Sequence, residues 1–548
     1  MVRNDTTFTL VDAPEDLDYH DPHVAEANDQ RIEKEKAALN LPPQKGTRAK
    51  LDEKIETTSV AHREKFVLVF AKALMAFGAP SHRIETQLIS ASTALKLNGQ
   101  FLHFPLTVMA CFNEPDEGRS RNHTVKSAGG FALGQLSKTH RVYKDVVGGE
   151  IGADEGVQRL RKLLKEPPIY GTYTRCVIAA LCTGIICPLA FNGAFVDMLA
   201  AAASGFAMCW LQLVAVEKSP LYGNIFEISV ALIISLVARG LSSRWGQLFC
   251  YSAISSAGII LILPGYFILC GALELASKKI INGSVKMVFA IVYSLFLGYA
   301  LTLGSDLWYI IDSEGRKNRE IAAQGFERFE FTHGSFVSDN LTTVEALTGL
   351  FTFANQTASN LPNPYHYVPT GCYRDPDWPW YRQQYPWWAQ FILVPAFSLA
   401  TSLWNLQPLF DVHTIVMVLI GCVSYATNTL ANKFIVGRND IVSAIGAFVV
   451  GVFGGVYGRK VGSTPFTVMV PGVLLLVPAG IAEVGGLASN YRGAEDDQYS
   501  SGVILGFRIV QVAIGITVGL FVSALFVYLC PGSKKNMVRR KQAAIFTF

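Results

Sequence analysis

The sequence predicts an α-helical polytopic membrane protein: ten transmembrane helices built as two five-helix inverted repeats, behind a small α+β cytosolic N-terminal domain. Three observations predict it. Half of the 548 residues are hydrophobic and only 16% are charged, where a soluble chain carries about a quarter. The charge is concentrated in residues 1–170, and long apolar runs follow from Arg175 onward, which reads as a soluble front and an embedded remainder. Two of those runs are interrupted alike, by Pro264-Gly265 in "LILPGYFILCGALELAS" and by Pro471-Gly472 in "VMVPGVLLLVPAGIAEVGGLAS".

Residues 1–60 mix acidic and basic side chains around a linker, "LPPQKGTRAK", and read as a disordered tail. Residues 61–170 read as a folded domain. "HREKFVLVFAKALMAFG" has apolar residues at helical spacing and stops at Gly78-Ala79-Pro80. "SHRIETQLISASTALKL" is a second helix with Ser81 expected at its cap. "QFLHFPLTVMACF" reads as strand from its β-branched and aromatic residues. "GGFALGQLSKTHRVYKDVV" and "ADEGVQRLRKLLKE" read as helices, and "EPPIYG" closes the domain.

A span needs about 20 apolar residues. Ten candidates follow: 175–192, 196–216, 225–241, 248–276 and 285–305 in a first repeat (171–305), then 389–406, 411–431, 440–458, 466–488 and 503–529 in a second (389–530). Between the repeats lies a polar stretch, 306–388. It contains "DPDWPWYRQQYPWW", whose Trp and Tyr suit a membrane interface, and the sequons at Asn340 and Asn355. Residues 531–548 form a basic tail.

Orientation follows from Lys and Arg near the segment ends. With the N-terminus inside, the inner side holds sixteen of them, from Arg159 to Lys541, and the short outer loops hold five: Arg239, Arg244, Lys433, Arg438 and Arg492. The positive-inside rule therefore predicts both termini cytosolic and 306–388 lumenal or extracellular. No apolar leader precedes the first span, so no cleaved signal peptide is expected.

Five helices per repeat is an odd number, so the second repeat would enter from the opposite side and lie inverted, with each interruption in the fourth helix of its half. Proline removes a backbone N–H and clashes with the preceding turn, and glycine tolerates the resulting geometry. In lipid such a break persists only where protein or a water-filled cavity satisfies the freed groups. A half-helix starting there aims N–H groups and about half a positive charge at whatever occupies the site, which suits a carboxylate. The bland alternative is a proline kink in a packing helix.

Ionisable residues within apolar runs are candidate site residues. Asp197 opens the second segment, Glu227 lies near the inner end of the third, and Glu483 follows Pro478 by about one turn. Arg508 shares a face of the tenth segment with Gln511 and is the candidate partner of Glu483; Asn428 and Asn432 lie four apart in the seventh. The expected substrate-binding set is thus Pro264, Gly265, Pro471, Gly472, Glu483, Arg508, Asp197, Glu227 and Asn428, against the alternative that the acids form structural ion pairs between helices. Gly451, Gly454, Gly455 and Gly458 read as helix-packing faces. The cysteines in apolar runs, Cys250 among them, read as small buried hydrophobes, and Cys372 stands in a polar loop without an obvious partner.

Several classes are excluded. No basic patch is interleaved with aromatics as nucleic-acid binding requires. No Walker A, GxGxxG or HExxH motif is present, so no ATP motor, cofactor or metal is expected. In the soluble domain, "GAPSHRIE" with His103 and Asn113 does not supply a nucleophile and an oriented base. No enzyme activity is expected there, and gating of the cytosolic mouth is the preferred role.

"ALMAFGAPSHRIE", "LNGQFLHFPLTVMACF" and "GFALGQLSKTHRVYKDVVGGEIGADEGVQRLRKLLKEPPIYG" together resemble the N-terminal domain of the threonine/serine exporter family, in its fungal pheromone-regulated branch. "LILPGYFILCGALELASKKIINGSVKM" and "TVMVPGVLLLVPAGI" resemble the motifs of its two halves, and the likeness covers residues 60–530. It implies ten helices, a cytosolic domain and gradient-driven export of small hydroxy amino acids; a split relative is associated with dicarboxylate export. The 306–388 insertion departs from the bacterial pattern. The expected function is a secondary transporter acting on a small molecule within the bilayer, with homo-oligomerisation left open. The alternatives are dicarboxylate export, a membrane-anchored sensor or adaptor without transport, and a hydrolase built on the soluble domain.

Overall fold

A computed structural model describes residues 58–113, 120–127, 129–223, 225–245, 248–315, 317, 330–336, 347–353, 372, 374, 377–435, 438–461, 465–482 and 497–529. The tail, the two sequons and Glu483 lie outside them. The N-terminal unit orders as α1 (Val60–Ala76), α2 (Ser81–Ala94), β1 (Gly99–Phe104), β2 (Thr107–Asn113), β3 (Ser120–Lys126), α3 (Leu133–Val147) and α4 (Ala153–Lys165). The helices stand where periodicity placed them. Phe66, Phe70 and Leu74 recur every fourth residue on α1 and are fully buried, and Phe70 stacks on Tyr143 of α3 at 5.1 Å. On α4, Asp154 and Glu155 occupy the first turn and Lys162 and Lys165 the last, each sign matching the helix dipole.

Two expectations need correction here. Ser81 is the first helical residue and Pro80 takes the cap position, because the fixed φ of proline and its extended ψ already set the entry to the helix. The single strand over 100–112 is an antiparallel hairpin, with Leu102 opposite Met109 and Phe104 opposite Thr107. Pro105 and Leu106, the latter at φ 62°, make the turn. A third strand, β3, pairs with β2; its "SRNHTVK" carries little of the apolar alternation that marks a strand in sequence.

The remaining helices are α5 (Thr172–Phe191), α6 (Phe195–Lys218), the single turn α7 (Pro220–Gly223), α8 (Phe226–Arg244), α9 (Tyr251–Gly258), α10 (Gly265–Ala276), α11 (Ile280–Ile311), α12 (Gln390–Trp404), α13 (Val412–Phe434), α14 (Asn439–Val461), α15 (Pro465–Ala482) and α16 (Asp497–Leu529). Among the described residues, seven are long and apolar enough to cross a membrane: α5, α6, α8, α11, α13, α14 and α16. The other three expected segments form shorter helices. The fourth is split into α9 and α10, the sixth is the 15-residue α12 with Pro395 inside it, and α15 is described over 18 residues. At 1.5 Å per residue the 32 residues of α11 extend about 48 Å, well beyond a bilayer core of about 30 Å.

The two proline interruptions also part company. The chain leaves helix after Gly258 and re-enters it at Gly265, with Pro264 at the cap position of α10. At Pro471 there is no break: α15 runs through Pro471-Gly472. The matched pair expected from the sequence is thus one broken helix and one continuous one. The physical reason lies in the neighbours. Gly472 brings Ile420 of α13 and Val450 of α14 to 3.2 Å of where a Cβ would sit, and Ser424 of α13 donates to the Gly472 carbonyl at 3.2 Å. Adjoining helices thus pack closely against the Pro471-Gly472 stretch of α15.

Gly451 and Gly455 act in packing as expected, against Ser523 and Val527 of α16, while Gly454 and Gly458 receive Met469 and Pro465 of α15. Among the described residues the closest approach to another helix's backbone is made by Gly519 of α16, where a Cβ would lie 2.1 Å from the Ala444 carbonyl oxygen of α14. One hydrophobic cluster runs unbroken from Phe66 and Leu88 in the N-terminal unit through Ile268, Met417 and Val470 to Ile516. The N-terminal unit is therefore packed onto the helices rather than tethered to them.

Cys250 and Cys372 form a disulfide across a sequence separation of 122, correcting both cysteine expectations. Cys176, Cys182, Cys187, Cys209 and Cys270 are buried free thiols, as read from the sequence. Within 306–388, β4 (Glu330–Phe336) and β5 (Leu347–Phe353) pair antiparallel.

Candidate functional site

The α9–α10 interruption builds the candidate site. Pro264 and Gly265 are buried, as are Pro471 and Gly472 of α15. The first turn of α10 lies beside the first turn of α15, with the Tyr266 and Phe466 rings at 6.4 Å. Ile268 and Leu269 of α10 belong to the same packed cluster as Val470 and Val473 of α15. The structure thus brings the two proline motifs onto helices that touch, with a closed, apolar seam between them.

Sequence reasoning did not foresee how the N-terminal unit closes onto this break. The Tyr266 hydroxyl donates to the Gly78 carbonyl at 2.5 Å, and its ring meets Phe131 at 4.2 Å. The Ser81 backbone N–H donates to Glu274 at 2.9 Å. Lys279 pairs with Glu85, which also accepts from the His103 N–H at 3.1 Å. Asn282 donates to the His103 carbonyl at 2.8 Å. The α12–α13 connection is held too, by Leu133 N–H to Asn405 O at 3.1 Å and by the Tyr170 hydroxyl to Gln407 O at 2.6 Å. "GAPSHRIE" is therefore the docking edge of the domain.

Gly78 fixes that edge. It holds φ +80°, and a Cβ there would lie 2.7 Å from the Gly130 carbonyl oxygen. Gly78→Ala is expected to cost about 1–2 kcal/mol for the left-handed backbone alone. The check is a lowered thermal midpoint of the purified protein together with faster amide exchange across residues 78–88.

Two half-buried histidines should make the domain acid-sensitive. His140 is pushed down to about 3 by burial, then by Arg83 and Lys144. His103 is pushed down to about 4 by burial and Lys286, against the pull of Glu274 and Glu85. Unfolded, each would titrate near ~6.5. Below that pH the unfolded chain binds protons that the folded chain refuses. Stability is therefore complete above ~6.5 and is lost as pH falls toward the folded values, by up to about 1.4 kcal/mol per unit for each histidine. The thermal midpoint at pH 5 should fall below that at pH 7.5, and His140→Gln should flatten the difference.

The remaining expected residues separate. Asp197 is fully buried at the start of α6; it accepts from the N–H groups of Ala194 and Cys250, each at 2.8 Å, and pairs with Arg374. Its acceptors are saturated at the disulfide end of the bundle, opposite the docked domain. Glu227 is half-buried in the first turn of α8 and shares a hydrogen bond with Tyr293 of α11. Asn428 is buried on α13. Arg508 lies on α16, where its backbone alone is described, and Glu483 lies outside the described residues. Glu274 and Lys286, which hold the domain contact, were missed. The signal was present, a lone acid in the interrupted run and a lysine inside the next. Arg374 left no signal, since its partner is 177 residues away.

A folded N-terminal unit docked on a bundle of apolar helices, seven of them long and apolar enough to cross a membrane among the described residues, makes this a multi-pass membrane protein. The chain belongs to the threonine/serine exporter family: residues 65–308 match its first family profile and residues 390–526 its second, "Threonine/Serine exporter, ThrE". It is 31% identical over 517 residues to "Pheromone-regulated membrane protein 10" of Saccharomyces cerevisiae (strain YJM789), covering 92% of this chain and 59% of that protein. The protein of the same name in Kluyveromyces lactis is 28% identical over 548 residues, covering 94% and 51%, and that in Candida albicans (strain SC5314) is 31% identical over 496 residues, covering 88% and 39%. The chain thus spans about 39–59% of the length of these relatives. No solved structure matches it.

Proposed function

We propose that the chain is a secondary transporter exporting small amino acids of the threonine and serine type, coupled to a proton or ion gradient. The observation that carries this is the buried Pro264-Gly265 break seated against α15, in a chain of the exporter family. The substrate carboxylate meets the first N–H groups of α10. Pro471 and Gly472 form the facing wall, and Glu227, Asn428, Glu483 and Arg508 are the further polar groups of the pathway. The packed seam corresponds to an occluded state.

Two five-helix halves, 171–305 and 389–530, are part of the proposal, and the packing supports them. The partners α8 and α11 in the first half recur as α14 and α16 in the second, and α10 with α11 recurs as α15 with α16. Counterparts also meet across the halves: α5 with α12, α10 with α15, and α11 with α16. The sidedness has support of its own. A disulfide belongs to an oxidising compartment, and Cys250–Cys372 ties the 306–388 stretch to the end away from the docked domain. Both termini and the domain are then cytosolic.

The test is flux in proteoliposomes holding the purified chain, with labelled threonine, serine and succinate, with and without a pH gradient. Threonine or serine is expected to move and to accumulate when a gradient is imposed. Movement of succinate alone would reassign the substrate to dicarboxylates. No movement of any of the three would overturn the transporter reading in favour of a sensor or adaptor.

A further inference from the structure

Glu274 sits where α10, the first turn of α2 and the first turns of α11 meet, and it is completely buried. Its Oε1 accepts from the Ser81 N–H at 2.9 Å and pairs with Lys286. Among the described residues its Oε2 has no partner, and neither do the buried Ser81 Oγ and Asn282 Oδ1. The charged and titratable groups facing it are Lys286 of α11, Lys279 at the cap of α11, Glu85 of α2, His103 of β1, and Tyr266 and Cys270 on its own helix. Glu85 is held by Lys279 and the His103 N–H, and burial and Lys286 disfavour a charge on His103. Two carboxylates therefore face two ammonium groups, and Glu274 is the carboxylate with a bare oxygen.

A buried carboxylate oxygen without a donor is costly. A proton on it removes the charge and turns the bare acceptor into an O–H donor. We propose that Glu274 carries the coupling proton of the transport cycle and that its protonation releases the N-terminal domain from α10. This rests on the transporter reading above. Ionised, Glu274 holds Lys286 and the N-terminus of α2, whose partial positive charge favours an anion. Protonated, it loses the ion pair and keeps only a neutral hydrogen bond to Ser81. The proton is taken from water on one side of the membrane and returned to water on the other. Loosening this contact frees the edge that Tyr266–Gly78, Lys279–Glu85 and Asn282–His103 also hold, so proton binding opens the domain end of the pathway.

The experiment compares wild type, Glu274→Gln and Glu274→Asp in proteoliposomes by two assays: substrate exchange at equal pH, and accumulation against a gradient. With one proton per substrate, one pH unit supports about tenfold accumulation. Glu274→Gln is expected to keep exchange and lose accumulation, and Glu274→Asp to keep both. Accumulation by Glu274→Gln overturns the proposal, as does loss of exchange in a variant that retains the wild-type thermal midpoint. Should Glu274→Gln not fold, wild type decides: accumulation independent of the pH gradient overturns the proposal while leaving the transporter reading intact. Wild type that moves no substrate removes both. Hydrogen exchange reads the release directly. Residues 78–88 should lose protection in Glu274→Gln, and unchanged protection there overturns the release.

Discussion

Asp197→Ala is expected to destabilise the protein by about 3–5 kcal/mol, the cost of stranding one member of a buried ion pair. Arg374, its side chain 4% exposed, would lose the Asp197 carboxylate, and the N–H groups of Ala194 and Cys250 would lose their acceptor. The thermal midpoint of the purified protein measures the loss. Pairing the change with Arg374→Met removes the stranded charge and should recover most of the stability, because an apolar pair of similar volume often replaces a buried ion pair at little cost. Exchange transport should return along with stability. A stable double variant that moves no substrate would give Asp197 a part in the cycle instead of the structural role its saturated geometry describes.

Opening the Cys250–Cys372 bond, by Cys372→Ser or by reductant, is expected to cost about 2–4 kcal/mol, since the bond closes a long loop in the unfolded chain. The effect should not add simply to that of Asp197→Ala. Cys250 supplies one of the N–H groups on Asp197, and Arg374 follows Cys372 by two residues; groups that share partners couple. Thermal midpoints of the two single variants and the double variant give the coupling. Peptide mapping without reductant should recover residues 250 and 372 in one linked fragment.

The parts of this protein that were legible in its sequence are those written in short-range pattern. Phe66, Phe70 and Leu74 mark α1 by their spacing, and apolar length marks the seven described helices that are long enough to cross a membrane. The Pro264-Gly265 break was legible as well, because a proline next to a glycine inside an apolar run has few other uses. The same dipeptide misled at Pro471. Nothing local distinguishes a proline that ends a helix from one that Ser424, Ile420 and Val450 support inside it. β3 was missed for a related reason: its pairing with β2, rather than its own polar sequence, makes it a strand.

Composition and periodicity by themselves determined that this chain enters a membrane, that a folded unit precedes the spanning region, and that one helix is broken. Each depends on residues within a few turns of one another, where burial of an apolar face or loss of one N–H decides the outcome. Only the tertiary structure decided what faces that break. Gly78 reaches Tyr266 across 188 residues, and Ser81 reaches Glu274 across 193. A buried charge acquires its meaning from the partner that replaces water around it, and the packing of distant elements supplies that partner.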